Sequence, residues 1–265
     1  MFEMDLAGAL DRLRAAAPLV HNITNTVVAN VTANALLALG ASPAMVQAEQ
    51  EVADFVPLAG ALVVNIGTLT APQLAAMHVA VGAARRAGRP WVLDPVAAGA
   101  TPYRRQAAEG LLALRPTVLR GNASEILTLA GQPGASRGVD STQAAELARD
   151  AARGLARAGG LAVAVTGAVD YVTDGEAMIG IANGHPMLTR VTGTGCTATA
   201  LTGAFLAIGL PGMAAAAAAL TVLGVAAEDA AQGVAGPGSF QVALLDRLHG
   251  LDGATLAARA RWQAG

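Results

Sequence analysis

The chain has 265 residues and no linker-like segment, so we expect a single domain over residues 1–265. Hydrophobic residues make up 54 % of the sequence and charged residues 14 %, which excludes an intrinsically disordered chain. With a net charge of −2 and 3 % aromatic residues, the sequence lacks the positive field and the stacking surfaces that nucleic-acid binding uses. All 17 basic residues are Arg, and the absence of Lys excludes a Walker A loop, a Schiff-base enzyme and a protein-kinase ATP site.

The single cysteine, Cys196, permits neither an intramolecular disulfide nor a metal site built from several cysteines. The N-terminal segment carries acidic residues and has no continuous apolar core, so it does not resemble a secretory signal, and we expect a cytoplasmic protein. Residues 191–227 contain no charged residue and exceed the roughly 20 residues that span a bilayer. Glycines and Pro211 interrupt this stretch and its apolar content is mostly alanine, so we expect two buried helices and no membrane span.

Short apolar runs alternate with longer helical segments through the first part of the chain. Strands are predicted at residues 62–66, 91–93, 117–119 and 161–165, and the helical segments that separate them include 72–87 and 142–158. Because strands that are apolar on both faces must be covered on both sides, this pattern predicts an α/β fold. We expect a mostly parallel central sheet with helices on both faces.

After residue 165 the pattern changes to closely spaced short strands. They are predicted at residues 170–173, 177–182 and 186–191, with Asp-Gly and Asn-Gly turns between them. An antiparallel edge of the sheet is therefore expected. The rest of the chain is predicted to be helical, with helices at residues 196–208, at 213–232 and after Ser239.

Polar residues follow the predicted strands, where open parallel sheets bind their ligands. Asp94, Arg120 and Thr166 each stand at or directly after the end of a strand, and Glu125 lies about one helical turn beyond Arg120. Asp94 and Glu125 are candidates for binding Mg²⁺, although a turn residue and a helix cap with Asn122 would also explain them. Arg120 ends a buried strand and needs a salt bridge or a bound phosphate. Thr166 is either a phosphate contact or an ordinary strand-end residue.

The loop that precedes the predicted helix at 196–208 is rich in glycine. Gly193 and Gly195, with Thr194 between them, allow backbone amides to approach an anion, and the helix N-terminus adds a partial positive charge. This loop is therefore either a cradle for a transferred phosphoryl group or only a tight turn between two elements. The same electrostatics would lower the thiol pKa of Cys196, whereas its other interpretation is a small buried hydrophobe.

Five segments of the chain, in order and spanning nearly its whole length, form a more specific pattern. They are HNITNTVVANVTANALLALGASPAMVQAEQE at 21–51, DPVAAGAT at 94–101, RGNASEI at 120–126, VTGAVDYVTDG at 165–175 and VTGTGCTATA at 191–200. Together they resemble the hydroxyethylthiazole kinase family. The resemblance implies a three-layer ribokinase-like fold and a homotrimer with its sites at subunit interfaces. It also implies ATP- and Mg²⁺-dependent phosphorylation of the hydroxyethyl group of 4-methyl-5-(2-hydroxyethyl)thiazole in thiamine salvage.

The resemblance assigns roles on the acceptor side of the site. Met45 and Gly193 would contact the thiazole, with Asn25 near its hydroxyl, although residue type alone favours a core position for Met45. The backbone amides of residues 193–196 would form the anion hole for the transferred phosphoryl group. Cys196 stands where related ribokinase-like enzymes place an aspartate base, and since a thiol is a weaker base we expect a modest role for it.

On the nucleotide side, the resemblance makes Arg120 and Thr166 contacts for the phosphates of ATP. Asp94 and Glu125 would organise Mg²⁺ directly or through water. This arrangement is compatible with a chain that has no Lys, because the anion hole, Arg120 and Mg²⁺ supply the positive charge.

The sequence departs from the usual family pattern at a few positions. Thr26 stands where an aromatic residue is common and Gln47 where a His is usual, and both lie near the implied thiazole pocket. Ala97-Ala98 and Ala168 are further departures. They bear on the preferred substrate and not on the type of reaction. His21 is interpreted as a satisfied interior histidine and not as a base or a metal ligand.

Three other functions are compatible with the same residues. A related kinase acting on a hydroxymethylpyrimidine or a pyridoxal-like alcohol would share the carboxylates and the glycine loop, but it would be expected to have aspartate at the position of Cys196. A non-catalytic thiazole- or nucleotide-binding protein would bind ligand without turnover. A cysteine hydrolase with Cys196 as nucleophile would need a His base nearby.

Overall fold

The computed structural model describes residues 4–132 and 141–265. Nine strands form one sheet, and their bounds are β1 (Leu19–Ile23), β2 (Ser42–Ala44), β3 (Ala61–Asn65), β4 (Trp91–Asp94), β5 (Val118–Asn122), β6 (Ala162–Thr166), β7 (Asp170–Thr173), β8 (Met178–Ile181) and β9 (Trp262–Ala264). Their order in the sheet is β2-β1-β3-β4-β5-β6-β7-β8-β9. The first six strands are parallel, and β7, β8 and β9 extend the sheet in antiparallel pairs. The predicted parallel sheet with an antiparallel edge is confirmed.

Eleven α-helices are present in the described ranges. They are α1 (Leu6–Ala16), α2 (Ala29–Leu39), α3 (Val52–Phe55), α4 (Ala71–Arg86), α5 (Pro102–Leu112), α6 (Ala123–Leu129), α7 (Ser141–Gly159), α8 (Thr194–Ala207), α9 (Gly212–Ala230), α10 (Pro237–Gly250) and α11 (Gly253–Arg259). The start of α4 shows why a helix begins where it does: the hydroxyl of Thr70 accepts a hydrogen bond from the amide of Gln73, and Pro72 occupies the first turn.

Helices cover both faces of the sheet and create two hydrophobic cores. Side chains alternate along each strand, so Val63 of β3 packs into one core while its neighbours Leu62 and Val64 pack into the other. The first core contains residues from α1, α2, α8, α9, α10 and α11, and the second contains residues from α3 to α7. This is the three-layer arrangement that the continuous apolar strands predicted.

Helices α8 and α9 occupy the charge-free part of the sequence. Among the described residues, α9 is the helix that is long and apolar enough to cross a membrane, and 89 % of its most apolar window is buried inside the fold. It packs against α8, α10 and the strands from β5 to β8. The prediction of two buried helices is confirmed, and burial between the sheet and α10 accounts for the apolar composition of α9.

One predicted strand is wrong, and three strands, β1, β2 and β9, were not predicted. Residues 186–191, expected as a strand, form a 3₁₀ turn over Pro186–Arg190, which starts where Nδ1 of His185 accepts a hydrogen bond from the amide of Met187. The edge position beside β8 is taken instead by β9 from the far end of the chain. Strands β1 and β2 were not predicted because β1 contains a polar His-Asn pair and β2 is only three residues long.

Candidate active site

The carboxyl ends of the parallel strands meet at one edge of the sheet, beside the N-terminus of α8. Asn65 ends β3, Asp94 ends β4, Arg120 lies in β5 and Thr166 ends β6. Of these, Asn65 was not identified from the sequence, although it satisfies the same rule of polar residues at strand ends. The structure therefore confirms the prediction that the strand ends converge at one edge of the sheet.

Asp94 lies at the centre of this edge and is fully buried. Its Oδ2 accepts hydrogen bonds of 2.8 Å from Asn65 Nδ2 and of 2.8 Å from Thr199 Oγ1. Among the described residues Oδ1 has no hydrogen-bond partner, and it lies 3.7 Å from Arg120 Nη1. Burial raises the pKa of Asp94, and the nearby Arg120 charge and the hydrogen bonds only partly oppose that effect. One oxygen of a buried carboxylate is thus left for a ligand.

Two side-chain amides connect Asp94 to the loop after β1. The Oδ1 atom of Asn65 accepts hydrogen bonds from Asn25 Nδ2 at 2.8 Å and from the amide of Gly67 at 2.9 Å. Asn25 Nδ2 also lies 3.6 Å from the Sγ atom of Cys196. The implied substrate residue Asn25, the buried Asp94 and the start of α8 therefore belong to one hydrogen-bonded cluster.

Arg120 joins this cluster to β6 and is 8 % exposed. Its Nη2 donates a 2.7 Å hydrogen bond to Thr166 Oγ1, while the pair with Asp94 is longer, at 3.7 Å. The requirement for a salt bridge or a phosphate is met by the salt bridge with Asp94. A Cβ atom at Gly195 would lie 2.8 Å from the guanidinium nitrogens, so only glycine lets Arg120 approach the α8 N-terminus this closely.

The glycine loop turns sharply into α8. Gly193 is the N-cap with φ of 86°, in the left-handed region, and a Cβ atom there would lie 2.7 Å from the side chain of Val28. The hydroxyl of Thr194 donates to the carbonyl of Leu188 at 2.9 Å. In the part of the chain that the structure describes, no side chain caps this helix start, so the first backbone amides of α8 remain available to an anion.

Glu125 forms a capping box with Asn122 at the start of α6. Its Oε2 accepts from the amide of Asn122 at 2.8 Å, and Asn122 Oδ1 accepts from the amide of Glu125 at 3.0 Å. Its Oε1 accepts from the amide of Ala97 at 2.8 Å. Burial, and then the charge of Asp94, raise the pKa of Glu125. The capping interpretation is confirmed, and the carboxylate also lies within the electrostatic range of Asp94.

Cys196 does not have the lowered pKa that its place at a helix start allowed. Burial, followed by the charge of Asp94, raises its pKa to about 11. Loss of hydration and the Asp94 carboxylate outweigh the hydrogen bonds with Asn65 and Asn25 and the charge of Arg120, which lower the pKa. The thiol is therefore protonated near neutral pH, which argues against a cysteine hydrolase with Cys196 as nucleophile.

Two other predicted positions differ in their environment. Met45 follows β2 and is half-buried, outside both cores, so the expectation of a core methionine is wrong. His21 is fully buried, and its Nε2 lies 2.7 Å from the carbonyl oxygen of Val46. Burial lowers the pKa of His21. His21 is interior, as expected, but only its Nε2 is satisfied: its Nδ1 is buried without a hydrogen-bond partner among the described residues.

A cleft of about 540 Å³ extends from this cluster toward the antiparallel edge. Its lining combines the polar residues Arg120 and Thr166 and the glycine loop at Gly195 with apolar residues that include Pro186, Leu188, Leu220 and Leu223. Asp170 of β7 also lines the cleft and accepts a 2.9 Å hydrogen bond from the amide of Gly167. Burial raises the pKa of Asp170 to about 6. Asp170 was not identified from the sequence, where its place in a predicted short strand gave no signal of a ligand site.

The fold is that of the ribokinase-like kinases of small molecules. The structure is similar to that of a pyridoxal kinase from Staphylococcus aureus in complex with pyridoxal, with a TM-score of 0.62 and 17 % identity, covering 77 % of this chain and 85 % of the other. The likeness is greater to a hydroxyethylthiazole kinase structure from Pyrococcus horikoshii OT3, with a TM-score of 0.91 and 45 % identity over 98 % of each chain.

The sequence comparisons give the family. The profile of the hydroxyethylthiazole kinase family matches residues 10–253. A hydroxyethylthiazole kinase from Granulibacter bethesdensis is 59 % identical over 96 % of this chain and 92 % of its own length. One from Cereibacter sphaeroides is 53 % identical over 98 % of this chain and 100 % of its own. The chain belongs to the hydroxyethylthiazole kinase family, as its five sequence segments indicated.

Proposed function

We propose that this chain uses ATP to phosphorylate the hydroxyl group of 4-methyl-5-(2-hydroxyethyl)thiazole, in thiamine salvage or biosynthesis. The observation that carries this proposal is the junction of two features at the start of α8. The buried cluster around Asp94 and the 540 Å³ cleft meet there, at amides that no side chain caps. Phosphoryl transfer depends mainly on positioning and on stabilising negative charge, and both are available at that junction.

The nucleotide is proposed to occupy the cleft. Its phosphates lie toward Arg120 and Thr166, where the guanidinium already donates to a hydroxyl, and its base lies against the apolar lining residues. The guanidinium and the α8 amides supply positive potential in a chain that has no Lys. Because Arg120 is held by both Asp94 and Thr166, it is oriented before the nucleotide arrives.

The two carboxylates suit Mg²⁺. Within residues 4–132 and 141–265, no group of three or more His, Cys, Asp or Glu side chains is placed to hold a metal by itself. Mg²⁺ instead takes one or two carboxylates and completes its shell with water and substrate phosphates. Oδ1 of Asp94, which accepts no hydrogen bond from the described residues, and the neighbouring charge of Glu125 fit that requirement. When bound, the ion neutralises charge on the phosphates, and Asp94 and Glu125 are the residues proposed to hold it.

The acceptor is proposed to lie on the other side of α8. Met45 and Gly193 contact the thiazole, and Asn25 lies near its hydroxyl group, within the cluster that contains Asp94. The amides of Gly193, Thr194, Gly195 and Cys196 form the anion hole for the transferred group. The Cys196 thiol, whose pKa of about 11 keeps it protonated, packs beside the reacting atoms and does not accept the proton of the hydroxyl.

The proposal extends to the state of the protein. We propose one kinase domain that assembles as a cytoplasmic homotrimer, with sites completed at the subunit interfaces. Exposed apolar side chains support an assembly, since Val27 and Leu37 flank or belong to α2, and Val242 on the adjacent α10 is also exposed. Size measurement by light scattering tests the trimer.

The test of function is ADP production by the purified protein with ATP and Mg²⁺. Hydroxyethylthiazole, hydroxymethylpyrimidine, pyridoxal and no acceptor are compared in parallel, with and without a chelator. ADP release that requires the thiazole and is lost on chelation supports the proposal. Release only with the pyrimidine or pyridoxal changes the substrate, and ligand binding without ADP release identifies a binding protein.

A further inference from the structure

One wall of the cleft is formed by residues 182–186, here called the wall segment. It leaves β8, passes Gly184 and reaches the 3₁₀ turn that begins at Pro186. Asn183, Gly184, His185 and Pro186 line the cleft. The position of this segment therefore contributes directly to the shape of the cleft.

Both polar atoms of the Asn183 side chain form hydrogen bonds inside the protein. Its Nδ2 donates to the carboxylate of Glu228 at 3.2 Å and to the carbonyl of Arg259 at 3.0 Å. Its Oδ1 accepts from the amide of Arg261 at 2.8 Å. Asn183 is 5 % exposed, so although it lines the cleft its amide group holds the wall segment in place and is not offered to a ligand.

Helix α9 contacts the wall segment at two positions that lie one turn apart. At Gly224, a Cβ atom would lie 2.7 Å from Asn183 Cβ and 2.8 Å from its carbonyl oxygen, so only glycine leaves room for the segment. Four residues on, on the same helix face, Oε1 of Glu228 accepts a 2.8 Å hydrogen bond from the amide of Gly184. Glu228 thus binds both a side-chain and a backbone N–H of the wall segment.

The charge of Glu228 is balanced from the far side. Arg259 lies 3.1 Å from Oε2 and Arg261 lies 2.6 Å from Oε1, and the Glu228 side chain is 15 % exposed. Burial raises the pKa of Glu228, but the hydrogen bonds from Arg261, Gly184 and Asn183 outweigh it, so the pKa lies below its usual value. Glu228 is therefore charged at neutral pH and remains a strong acceptor for the wall segment.

We propose that Glu228 is a positioning residue for the nucleotide. It is not among the residues that line the cleft, but it holds Asn183 and Gly184 of the wall segment from behind and so sets the shape of the cleft that receives the nucleotide. This inference rests on the proposed function, because it takes the cleft as the ATP site. It assigns to the C-terminal residues Arg259 and Arg261 the task of orienting Glu228.

The neighbouring Asp229 provides a matched control. It lies on the same helix and forms an ion pair with the same Arg259, yet its bond with Arg259 does not reach the wall segment. Asp229→Ala removes one ion pair of the cluster, with Arg259, and Glu228→Ala removes two, with Arg259 and Arg261. Only Glu228→Ala also removes the acceptor of Asn183 and Gly184.

The experiment measures the KM values for ATP and thiazole, kcat, and the Kd for ADP by calorimetry, in wild type, Glu228→Ala, Glu228→Gln and Asp229→Ala. For Glu228→Ala we expect the KM for ATP and the Kd for ADP to rise by about tenfold, with kcat and the KM for thiazole changed less than about twofold. Glu228→Gln keeps one acceptor oxygen and the shape of the side chain, so it recovers most of the loss. Asp229→Ala lowers Tm without changing either nucleotide constant.

The inference is overturned if the KM for ATP and the Kd for ADP of Glu228→Ala stay within about twofold of the wild-type values. It is also overturned if Asp229→Ala raises these two constants as much as Glu228→Ala does. If Glu228→Ala does not fold, Glu228→Gln serves as the test. We then expect the KM for ATP and the Kd for ADP to rise by about threefold, and unchanged constants would overturn the inference. The wild-type protein separates the two proposals. Wild type that binds no ADP and gives no turnover overturns the proposed function and this inference with it, whereas active wild type with unaltered variants overturns the inference alone.

Discussion

The carboxylate of Asp94 lies 3.7 Å from the guanidinium of Arg120, and the two side chains are 0 % and 10 % exposed. This distance is longer than that of a close ion pair, and the nearer carboxylate oxygen has no hydrogen-bond partner within the described residues. The pair therefore holds opposite charges in place without fully satisfying either one. Such a pair suits the phosphate and the cation of the proposed reaction.

Replacing Asp94 with Asn should remove activity without removing stability. Burial raises the pKa of Asp94, which means that its charge costs folding free energy, so the neutral amide should leave the free energy of unfolding unchanged or raise it. The kcat value should fall by about 100-fold or more, because charge at the reacting centre is lost. Thermal unfolding and steady-state kinetics on one preparation check both parts. A large drop in Tm would contradict the expectation.

Glu125 has a capping role and a proposed metal role, and two variants separate them. Asn122→Ala removes the side-chain half of the capping box and should cost about 1 kcal/mol of stability, while the Mg²⁺ concentration for half-maximal activity stays the same. Glu125→Ala removes the carboxylate and should both destabilise the protein and raise that Mg²⁺ concentration. Urea unfolding and Mg²⁺ titration of activity give the two readouts. If both variants need the same Mg²⁺ concentration for half-maximal activity, Glu125 only caps the helix and does not hold the metal.

Cys196→Ala should lower kcat by less than about tenfold, because a protonated thiol does not act as a base. The pKa of about 11 also predicts slow alkylation by iodoacetamide at neutral pH, with a rate that increases past pH 10. Mass spectrometry of the alkylated protein over a range of pH measures this. Rapid alkylation at pH 7, or complete loss of turnover in the alanine variant, would show that the thiolate is used.

Asp170 should make stability depend on pH. Its folded pKa of about 6 lies above its ordinary value of 3.8, so the folded state binds the proton more tightly than the unfolded state does between these values. The free energy of unfolding of the wild type, relative to that of Asp170→Asn, should fall as pH rises from about 4 to about 6 and stay constant above pH 6. The fall should be at most about 2 kcal/mol, because the side chain is partly exposed to the cleft. Urea unfolding of both proteins across this range measures the difference. A difference that grows with pH would refute the assignment.

Local sequence patterns determined the layers and the edge of the sheet that carries the site. Continuous apolar runs such as residues 62–66 predict strands covered on both faces, and polar residues at strand ends, Asp94 among them, predict where those strands converge. Both inferences hold because they depend only on side-chain alternation and on the parallel direction of the strands.

Other features depended on contacts between residues far apart in the chain. The segment at 186–191 was predicted as a strand, but β9 at Trp262–Ala264 pairs with β8 in its place. The thiol pKa of Cys196 was open from the sequence, since the helix start lowers it while burial and Asp94 raise it, and only the packed structure shows which effect is larger. Asp170 and Glu228 acquire their roles from the cleft and from Arg259 and Arg261. Solvation and long-range charge are set by the tertiary structure, and no local sequence pattern encodes them.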